Sequence, residues 1–569
     1  MNITGLNSYE ISNYKSISDS GEIDLNSTAI ILGANSAGKT NIVEPLLLLK
    51  QSIESSKLNL TLNGSELKLG RFEDIVHNQN TDNKIGYKFN FNHENEPEDD
   101  ERPLECPICE KSYKEEGWYT KHIREKHQHF WERSGDELEK YENHPESMPY
   151  LEISYGYDDE TGSNYINHLK FGNPIPVGSL YLSEIKLDFS RSSIQLSAKD
   201  LGDNTVIKLA SSSDDNSSLN FQRITDVPRI SNILLGSLNS SSNRRRFLTY
   251  TQNQPYISDQ YMPNVYKYRE KIQKQFENSE DSSDEEPITA DSGEKISNIL
   301  NGLLTRLATS IERSAIMIDS ISSLGTNTTH VGPLRRSPQR TYSASGANSD
   351  EQYFRGVNIE QRLLGGPDGE KSPILERTNE WLNETGFDCK LDIDQVDVGD
   401  IFQLNVIENG MSVNVADSGF GLSQSLPILI ECINMSLEKE TNNTRRLSSR
   451  YSRINEHYIT IIEEPEIHLN PKIESRLADF FLDIHDDNMG ILIETHSEHL
   501  VNRVQRRIAE GSVKSENITV YFVEKDANST DVREIDMDEN GAFNEWPSDF
   551  FQEDLDDAIE MLKHSRGEQ

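Results

Sequence analysis

The sequence predicts an α/β fold with mixed sheets, interrupted by a small ββα zinc finger and a helical insertion. Short apolar runs such as "TAIILGA" and "YITII" indicate buried strands. Between such runs, "NIVEPLLLLKQSI" carries apolar residues at helical spacing. The acidic segment "HENEPEDDERP" then breaks the pattern and leads into a compact set of cysteines and histidines. Alternating strands and helices predict the class, and the break predicts the inserted unit.

These elements divide the chain into five predicted parts. Residues 1–98 form an N-terminal lobe, and residues 104–130 form the finger. Strand-like runs such as "YLEISYGY" and "SLYLSEIKLDF" make residues 148–255 a continuation of the N-terminal lobe. Residues 256–325 are a helical insertion with an acidic linker, and residues 326–569 form a C-terminal lobe. No long heptad run accompanies the insertion, so extended coiled-coil arms are not expected.

The composition narrows the class of protein and its compartment. The 569 residues include 96 acidic and 56 basic side chains, which gives a formal net charge of -40 at pH 7. Such an excess repels nucleic acid at long range and is typical of a halophile, although acidic loops on an ordinary protein are the alternative. Only 4 cysteines are present, so we do not expect a disulfide framework. We therefore expect a cytoplasmic location. No signal peptide is visible, and no apolar run approaches the ~18 residues that a membrane span needs.

The stretch "GANSAGKT" fits the phosphate-loop pattern G-x-x-x-x-G-K-[ST]. It follows an apolar strand and precedes a helix, the context in which backbone N–H groups surround phosphates. Lys39 is expected to reach the β- and γ-phosphates, and the Thr40 hydroxyl to bind Mg²⁺. The predicted nucleotide-binding residues are Gly33, Ala34, Asn35, Ser36, Ala37, Gly38, Lys39, Thr40 and Asn41. The predicted ligand is ATP with Mg²⁺.

Two further strand ends supply candidate catalytic groups. In "ITIIEEPEIHLNP", Glu463 and Glu464 follow an apolar strand, and ligands of open α/β sheets bind at that end. We assign Glu463 to the Mg²⁺ shell through water and Glu464 as the general base. In "MGILIETHSEHL", His496 follows another apolar strand and is expected to hydrogen-bond the γ-phosphate. Lys39, Glu464 and His496 are the predicted catalytic residues.

The order of these motifs resembles ATP-binding-cassette ATPases of the SMC and RecF class. More narrowly, it resembles stand-alone AAA-family ATPases related to the overcoming-lysogenization-defect proteins, without a nuclease domain. The resemblance rests on Tyr14-Lys15-Ser16, "GPLR", "GFGLSQSLPIL", "EEPEIHLNP", "ETHSEHLVNRVQRRI" and "FVEKD…EWPSDFF". It covers roughly residues 1–90 and 325–569. It implies a P-loop fold like that of SMC heads.

The resemblance also implies an assembly and a role. A head-to-tail homodimer would hold ATP between its protomers, and "DSGFGLSQ" would be the signature loop that reaches the partner's nucleotide. Ser418 and Ser423 both fit the contacting serine, with Gln424 alongside. The chain departs from the wider class at Glu463, where Asp is usual. Gln51 fits a phosphate-sensing glutamine or a plain surface residue. The dimer would gate a DNA transaction or a partner effector in defence against phages or plasmids.

Two other functions stay open. Several relatives carry a metal-dependent nuclease domain after the ATPase, and Glu524, Asp536 and Asp538 superficially resemble its acids. Only about 70 residues follow His496, which is too short for another α/β domain. An ATP-regulated DNA nuclease is therefore an alternative. A zinc-finger scaffold that binds nucleotide with little turnover is the other.

The inserted finger has the spacing C-x2-C-x12-H-x4-H, which suits a tetrahedral Zn²⁺ site. The predicted zinc ligands are Cys106, Cys109, His122 and His127. Its base-contacting helix positions would be Glu115, Trp118 and Lys121, which suit a phosphate-rich groove poorly. We predict a docking module for a protein effector, with a nucleic-acid contact and a structural clip as alternatives.

Three basic clusters remain as candidate DNA contacts. They are "NRRRF", "PLRRSPQR" and "NRVQRRI", which contain Arg335, Arg340, Arg503, Arg506 and Arg507 among others. Clusters of this kind are more often solvated or salt-bridged faces, and that interpretation stands beside DNA binding. A role for some of these residues at the nucleotide is the third alternative.

Overall fold

The computed structural model describes the greater part of the N-terminal and C-terminal lobes. The described residues are 2–55, 59–94, 104–105, 112–113, 149–175, 182–189, 193–200, 205–212, 316–335, 337–343, 362–363, 372–384, 387, 389–396, 401–447, 456–486, 488–526 and 529–544. The four predicted zinc ligands and residues 256–315 of the predicted helical insertion lie outside them, while residues 316–327 are helical.

The described strands and helices follow in chain order. The strands are β1 (Asn2–Tyr14), β2 (Ile17–Asp19), β3 (Ile23–Asp24), β4 (Thr28–Gly33), β5 (Ile85–Glu94), β6 (Leu104–Glu105), β7 (Ser112–Tyr113), β8 (Tyr150–Asp158), β9 (Ser163–Ile175), β10 (Leu182–Phe189), β11 (Ser193–Asp200), β12 (Thr205–Ser212), β13 (Thr328–Val331), β14 (Tyr342–Ser343), β15 (Cys389–Val396), β16 (Ile401–Glu408), β17 (Met411–Asn414), β18 (Tyr458–Glu463), β19 (Met489–Glu494), β20 (Ile518–Lys525) and β21 (Thr530–Ile535). The helices are α1 (Thr40–Glu54), α2 (Phe72–Ile75), α3 (Pro373–Glu384), α4 (Phe420–Leu447), α5 (Pro471–Ile484) and α6 (Glu498–Ala509).

One mixed sheet of fifteen strands organises the described residues. Its order is β12-β11-β10-β9-β8-β5-β1-β2-β21-β20-β4-β19-β18-β13, with β3 paired to β1 at the side. The run from β12 to β2 is antiparallel. From β20 through β4, β19 and β18 to β13, every pair is parallel. The predicted α/β class with mixed strands is confirmed.

The parallel strands are continuous apolar runs because both faces of the sheet are covered. Both β4 and β19 are buried along their whole length, as is typical of parallel strands between helices. Alternate residues of β4 enter different cores: Ile31 joins the core around α1, whereas Ile30 and Leu32 join the core around α4, α5 and α6. This period-2 alternation places the strand between two hydrophobic layers.

Helix α1 is fixed to the antiparallel half of the sheet by two buried tyrosines. The Tyr9 hydroxyl donates to the carbonyl oxygen of Ile42, and the Tyr87 hydroxyl donates to that of Pro45 at 3.1 Å. Pro45 lies inside the helix, where it lacks the N–H group that an ordinary residue would donate. The helix that follows the phosphate loop is therefore held by β1 and β5.

Two smaller sheets complete the described structure. In one, β16 pairs with β15 on one side and with β14 and β17 on the other. In the other, β6 pairs antiparallel with β7 inside the predicted finger. Strands β5 and β8 flank this finger in sequence and pair with each other, so the finger is inserted between two neighbouring strands of the large sheet.

Candidate functional site

Three adjacent parallel strands end at the same edge of the sheet and bring the predicted site together. Strand β19 lies between β4 and β18, with Glu494 in register with Ile31 on one side and with Glu463 on the other. The phosphate loop leaves β4 at this edge. Because parallel strands present their carboxyl ends together, groups that are more than 400 residues apart in sequence meet here.

The backbone conformation of the phosphate loop requires glycine at two positions. Gly33 has φ +153, and a Cβ there would lie 2.3 Å from the carbonyl oxygen of Val523. Gly38 has φ +104, and a Cβ would lie 2.7 Å from Thr530 Oγ1. Ser36 also has a positive φ of 62. A residue with a Cβ atom does not fit at Gly33 or Gly38 without a steric clash. The exposed residues Ala34, Asn35 and Ser36 leave the loop open to solvent, while Ala37 is buried.

Lys39 is buried, with 4% of its surface exposed. Its Nζ donates to the carbonyl oxygens of Gly33 at 3.1 Å and Ala34 at 3.2 Å, and lies 2.7 Å from Nε2 of His496. Burial lowers the pKa of Lys39, although nearby carboxylates oppose that effect. Burial and the neighbouring Lys39 also lower the pKa of His496, which favours the neutral imidazole that an ammonium group needs as an acceptor. All three donors of Lys39 therefore have partners within the chain.

The carboxylate that contacts the phosphate loop is Glu494, which the sequence analysis did not select. The Thr40 hydroxyl lies 3.0 Å and 3.2 Å from its two carboxylate oxygens. Glu494 is 6% exposed. Burial, together with the charge of Glu463, raises its pKa to about 7. Its position at the end of an apolar strand is the same signal that selected Glu463, so the strand-end argument could have found it.

Glu463 and Glu464 lie beside this carboxylate in different settings. One Glu463 oxygen lies 2.8 Å from Nε2 of His330. Glu464 has a positive φ of 46, and its backbone N–H donates to the carbonyl oxygen of Glu494 at 2.7 Å. Nη2 of Arg335 donates to the carbonyl oxygens of both glutamates at 2.9 Å. Arg335 thus fixes the left-handed turn from which the Glu464 side chain leaves the strand.

Arg335 is a buried charge held among carboxylates. Burial lowers its pKa to about 10, although the charges of Glu463, Glu464 and Glu466 oppose the shift. Its Nε and Nη1 are buried and make no hydrogen bond within the part of the chain that the structure describes. The sequence analysis placed Arg335 in a basic cluster because the "GPLR" stretch shows charge but not the contact with the strand ends.

Glu466 fixes the segment that carries His496. Its carboxylate accepts hydrogen bonds from the Thr495 hydroxyl at 2.8 Å and from the His496 backbone N–H at 2.5 Å. Burial raises the pKa of Glu466, and these hydrogen bonds oppose the rise. The loop after β18 therefore positions the imidazole that contacts Lys39. Lys39, Thr40, Glu463, Glu464 and His496 lie at one site, with Glu494, Glu466 and Arg335 added by the structure.

The signature-loop residues lie at the start of α4. The Ser418 hydroxyl donates to the carbonyl oxygen of Val415 at 2.7 Å. Ser423 and Gln424 are buried in the first turns of the helix. Nε2 of Gln424 is buried and has no acceptor among the described residues. Neither the hydrogen bond of Ser418 nor the surroundings described for Gln424 include a contact with the phosphate loop of the same chain.

Two other predicted nucleotide contacts are used within the fold. Gln51 is buried, accepts from the Leu67 backbone N–H at 2.9 Å and donates to the carbonyl oxygen of Thr61. This contradicts the surface interpretation of Gln51 and leaves both ends of its amide occupied. Asn41 donates from Nδ2 to Ser16 Oγ at 2.7 Å, so it ties α1 to the turn between β1 and β2.

Apart from Arg335, which binds backbone carbonyl oxygens, the described members of the basic clusters are ion-paired. Arg340 pairs with Asp417, and Arg506 pairs with Glu510. Arg503 and Arg507 both bind Asp479. The salt-bridged interpretation accounts for these residues, whereas Arg244 to Arg246 and Arg336 lie outside the described part of the chain.

The candidate nuclease acids have no shared site. Asp538 accepts backbone hydrogen bonds from Asn540 and Ala542 and so forms a turn. Glu524 and Asp536 are exposed. Within the described residues, no group of three or more His, Cys, Asp or Glu side chains is placed to hold a metal ion. The solvated-acid interpretation fits this part of the chain.

Comparison with known proteins assigns the chain to a family. The family model described as "AAA ATPase domain" matches residues 5–501, and a model described as "Protein of unknown function (DUF3696)" matches residues 513–561. No curated protein matches the sequence significantly. Among the described residues, no helix combines the length and low polarity that a bilayer crossing needs.

Several solved structures align along nearly the whole chain at very low identity. An Smc head domain with an extended coiled coil, bound to the C-terminal domain of ScpA and derived from Pyrococcus furiosus, is 9% identical, with coverage of 99% of both chains and a TM-score of 0.32. An Smc head domain with a coiled coil and joint from Pyrococcus yayanosii is 10% identical, with 99% of both chains covered and a TM-score of 0.33. The SMC head domain from Thermotoga maritima is 7% identical, with 93% of this chain and 98% of that chain covered and a TM-score of 0.29. The family assignment rests instead on the match over residues 5–501: the chain belongs to the AAA ATPase domain family.

Proposed function

We propose that the chain binds ATP with Mg²⁺ at the phosphate loop and hydrolyses it to ADP and phosphate. The observation that carries this proposal is the convergence of Lys39 and Thr40 with Glu464, Glu494 and His496 at the edge of three parallel strands. A phosphate loop alone binds nucleotide, whereas hydrolysis also needs groups that hold a metal and activate water. The family assignment is consistent with this activity.

The residues have distinct proposed roles. Backbone N–H groups of the loop and the first turn of α1 bind the phosphates. Lys39 donates to the β- and γ-phosphates once it exchanges an intramolecular acceptor, such as His496 at 2.7 Å, for phosphate oxygen. Glu464 accepts a proton from the water that forms the new bond to the γ-phosphorus, while the bond to the β–γ bridging oxygen breaks. His496 then senses the γ-phosphate that competes for Lys39.

The donor set of the site suits Mg²⁺. The Thr40 hydroxyl and the carboxylates of Glu494 and Glu463 supply hard oxygen ligands, and Mg²⁺ usually takes one or two carboxylates together with phosphate oxygens and water. Burial and, after it, the charge of Glu463 raise the pKa of Glu494, and a bound cation would relieve the second of these effects. When bound, Mg²⁺ would neutralise charge on the phosphate oxygens. Glu463 therefore remains a proposed ligand, joined by Glu494.

The test is phosphate release by the full chain with three variants. We expect Mg²⁺-dependent release by the wild type, and a fall of about 100-fold or more in Lys39→Ala because the phosphate-binding ammonium is lost. Glu464→Gln should keep ATP binding but lose hydrolysis by about 100-fold or more. The control is Lys514→Ala, because Lys514 is exposed and forms an ion pair with Glu516, which is also exposed. Equal release by wild type and Lys39→Ala would refute the proposal and favour a scaffold with little turnover.

We also propose that ATP closes a homodimer. The start of α4 supports this, because Nε2 of Gln424 has no hydrogen-bond acceptor among the described residues. Ser418, Ser423 and the buried Nε2 of Gln424 would then face the partner's nucleotide. The Glu464→Gln variant provides the measurement. Because it should bind ATP without hydrolysing it, the protein should accumulate as an ATP-bound dimer that sedimentation detects. A variant that stays monomeric while binding ATP would exclude this assembly.

We propose zinc binding and effector docking for the inserted finger. The β6–β7 hairpin supports this proposal, because Cys106 and Cys109 lie in sequence between its two paired strands, as in a ββα zinc unit. Cytoplasmic location and a role in defence against phages or plasmids stay sequence-based predictions. DNA binding also stays a prediction, and the ion pairing of Arg340, Arg503 and Arg507 does not favour it.

A further inference from the structure

The C-terminal strand β21 meets the phosphate loop at one buried residue, Thr530. Thr530 is 2% exposed. Its backbone N–H donates to the carbonyl oxygen of Ser16 at 2.7 Å. Its hydroxyl lies 3.0 Å from the carbonyl oxygen of Ala37 and 2.6 Å from Ser16 Oγ. One side chain therefore bridges the turn after β1 and the floor of the phosphate loop.

Thr530 also lies where the two halves of the large sheet join. Strands β2 and β21 pair through a single register position, Ile17 with Thr530. On one side the antiparallel half begins, and on the other β21 continues through β20 to β4, the strand that carries the phosphate loop. Ser16 also accepts from Nδ2 of Asn41 at 2.7 Å. The hydrogen bonds of Thr530 and Ser16 thus hold the loop at Ala37 and at Asn41, on either side of Gly38 and Lys39.

The contact with Gly38 shows how closely this residue fits beneath the loop. A Cβ on Gly38 would lie 2.7 Å from Thr530 Oγ1 and 3.1 Å from Ser16 Oγ. The opposite side of the loop, at Ala34 to Ser36, is exposed. The exposed side of the loop is free to contact a ligand. The hydroxyls beneath Ala37 and Gly38 support the opposite side and so fix the orientation of the loop.

We propose that the β20–β21 hairpin, in a part of the chain matched by a family of unknown function, is a clamp that holds the phosphate loop in its binding conformation. Thr530 is its positioning residue and acts through Ala37 and Ser16, without touching the nucleotide. This inference rests on the proposed binding of ATP at the phosphate loop. It gives the C-terminal segment a role in nucleotide affinity that the phosphate-loop motif alone does not contain.

The test compares Thr530→Val, Thr530→Ser and Thr519→Val in the full chain. Valine keeps the shape of threonine but loses the hydroxyl, so the Kd for ATP with Mg²⁺, measured by calorimetry, should rise by about 3- to 10-fold, the value of one net hydrogen bond. Serine keeps the hydroxyl and should restore the wild-type Kd. Thr519 is the matched control: it is buried on the same hairpin, where it contacts Ser27 and Asp24 and not the phosphate loop.

A second measurement needs no nucleotide. Amide hydrogen exchange of residues 33–41 should become faster in Thr530→Val and stay unchanged in Thr519→Val, because only the first loses a bond to the loop. If wild-type protein fails to bind ATP, the proposed function fails while this exchange measurement still tests the clamp.

Three results would overturn the clamp. One is unchanged exchange of residues 33–41 in Thr530→Val. Another is an unchanged Kd in that variant while the wild type binds ATP. The third is an equal effect of Thr519→Val on both measurements, which would indicate general loss of stability. If Thr530→Val does not fold, Ser16→Ala takes its place, because it removes the hydroxyl that contacts both Thr530 Oγ1 and Asn41 Nδ2 beneath the loop.

Discussion

Glu494 shows how one residue acquires its chemistry from its neighbours. It lies at the end of a buried strand, with Thr40 within hydrogen-bonding distance and Glu463 in register beside it. Burial and the second carboxylate raise its pKa to about 7. A carboxyl group with a raised folded-state pKa costs stability once it ionises, so its effect is absent at low pH and grows as pH rises from about 4.5 to about 7.

The prediction is that Glu494→Gln removes this pH dependence in protein free of metal and nucleotide. Wild-type protein should lose about 3 kcal/mol of unfolding free energy between pH 4.5 and pH 7.5 through this group, since the pKa shift is about 2.5 units. Glutamine keeps a hydrogen bond to Thr40 but does not ionise. Urea unfolding across this pH range, with EDTA present, measures the difference between the two slopes.

The control for this prediction is Glu498→Gln, a neighbouring change in the first turn of α6. It should leave the slope of the unfolding free energy against pH between pH 5 and pH 7.5 as in wild type. Parallel wild-type and Glu494→Gln curves would show that Glu494 ionises normally, and the account of the acid cluster would be wrong.

At this scale the sequence was informative where the chemistry is local. The residues from Gly33 to Thr40 lie in one strand–loop–helix unit, so their types and spacing predict the phosphate loop. Glu494 carries the same strand-end signal as Glu463 and could have been selected, whereas the role of Arg335 depends on a distant turn that no local pattern shows. Thr530 lies nearly 500 residues after the loop that it contacts, and no local pattern distinguishes it from other threonines.

Helices α5 and α6 show how an element positions a functional group. Asp479 on α5 accepts hydrogen bonds from Nε and Nη2 of Arg503 at 2.8 and 2.6 Å and from Nε of Arg507 at 2.7 Å. Burial favours a raised pKa for Asp479, but these arginines outweigh it and lower the pKa. Helix α6 begins two residues after His496, capped by Ser497. The buried ion cluster therefore helps to set the direction of the His496 segment.

The prediction at this scale concerns Asp479→Asn. The change leaves two partly buried guanidinium groups without their shared carboxylate, so the unfolding free energy should fall by about 3 kcal/mol in urea titrations at pH 7. Glu510→Gln is the matched control, because Glu510 pairs with Arg506 and Arg507 at the exposed C-terminal end of α6, the helix that carries Arg503 and Arg507. It should change stability little. Similar losses in both variants would contradict the buried cluster as the source of the stability.

The segment that contains the predicted finger is attached to the large sheet far from the phosphate loop. Strand β1 runs from Asn2, which pairs with Glu94, to Tyr14 beside the turn that contacts the phosphate loop. Thirteen residues of strand span about 40 Å. The finger enters the sheet after β5 and leaves it before β8, and so at the end of β1 that lies away from the loop. The sequence predicts the finger but not the distance of its attachment points from the phosphate loop, which depends on the pairing of β5 with β1.

This separation predicts that the finger and the ATPase site act independently in the isolated protein. Replacing residues 104–130 with a short glycine–serine linker should remove one bound zinc per chain, measured by atomic absorption, because all four predicted ligands are lost. Phosphate release should stay within about two-fold of wild type, since changes at well-separated sites are nearly additive. The double change Cys106→Ser with Cys109→Ser is the control that removes the metal without shortening the chain. If either variant loses turnover about ten-fold while its nucleotide-free stability is unchanged, the finger contributes to the ATP site directly, and its proposed role as a remote docking module is wrong.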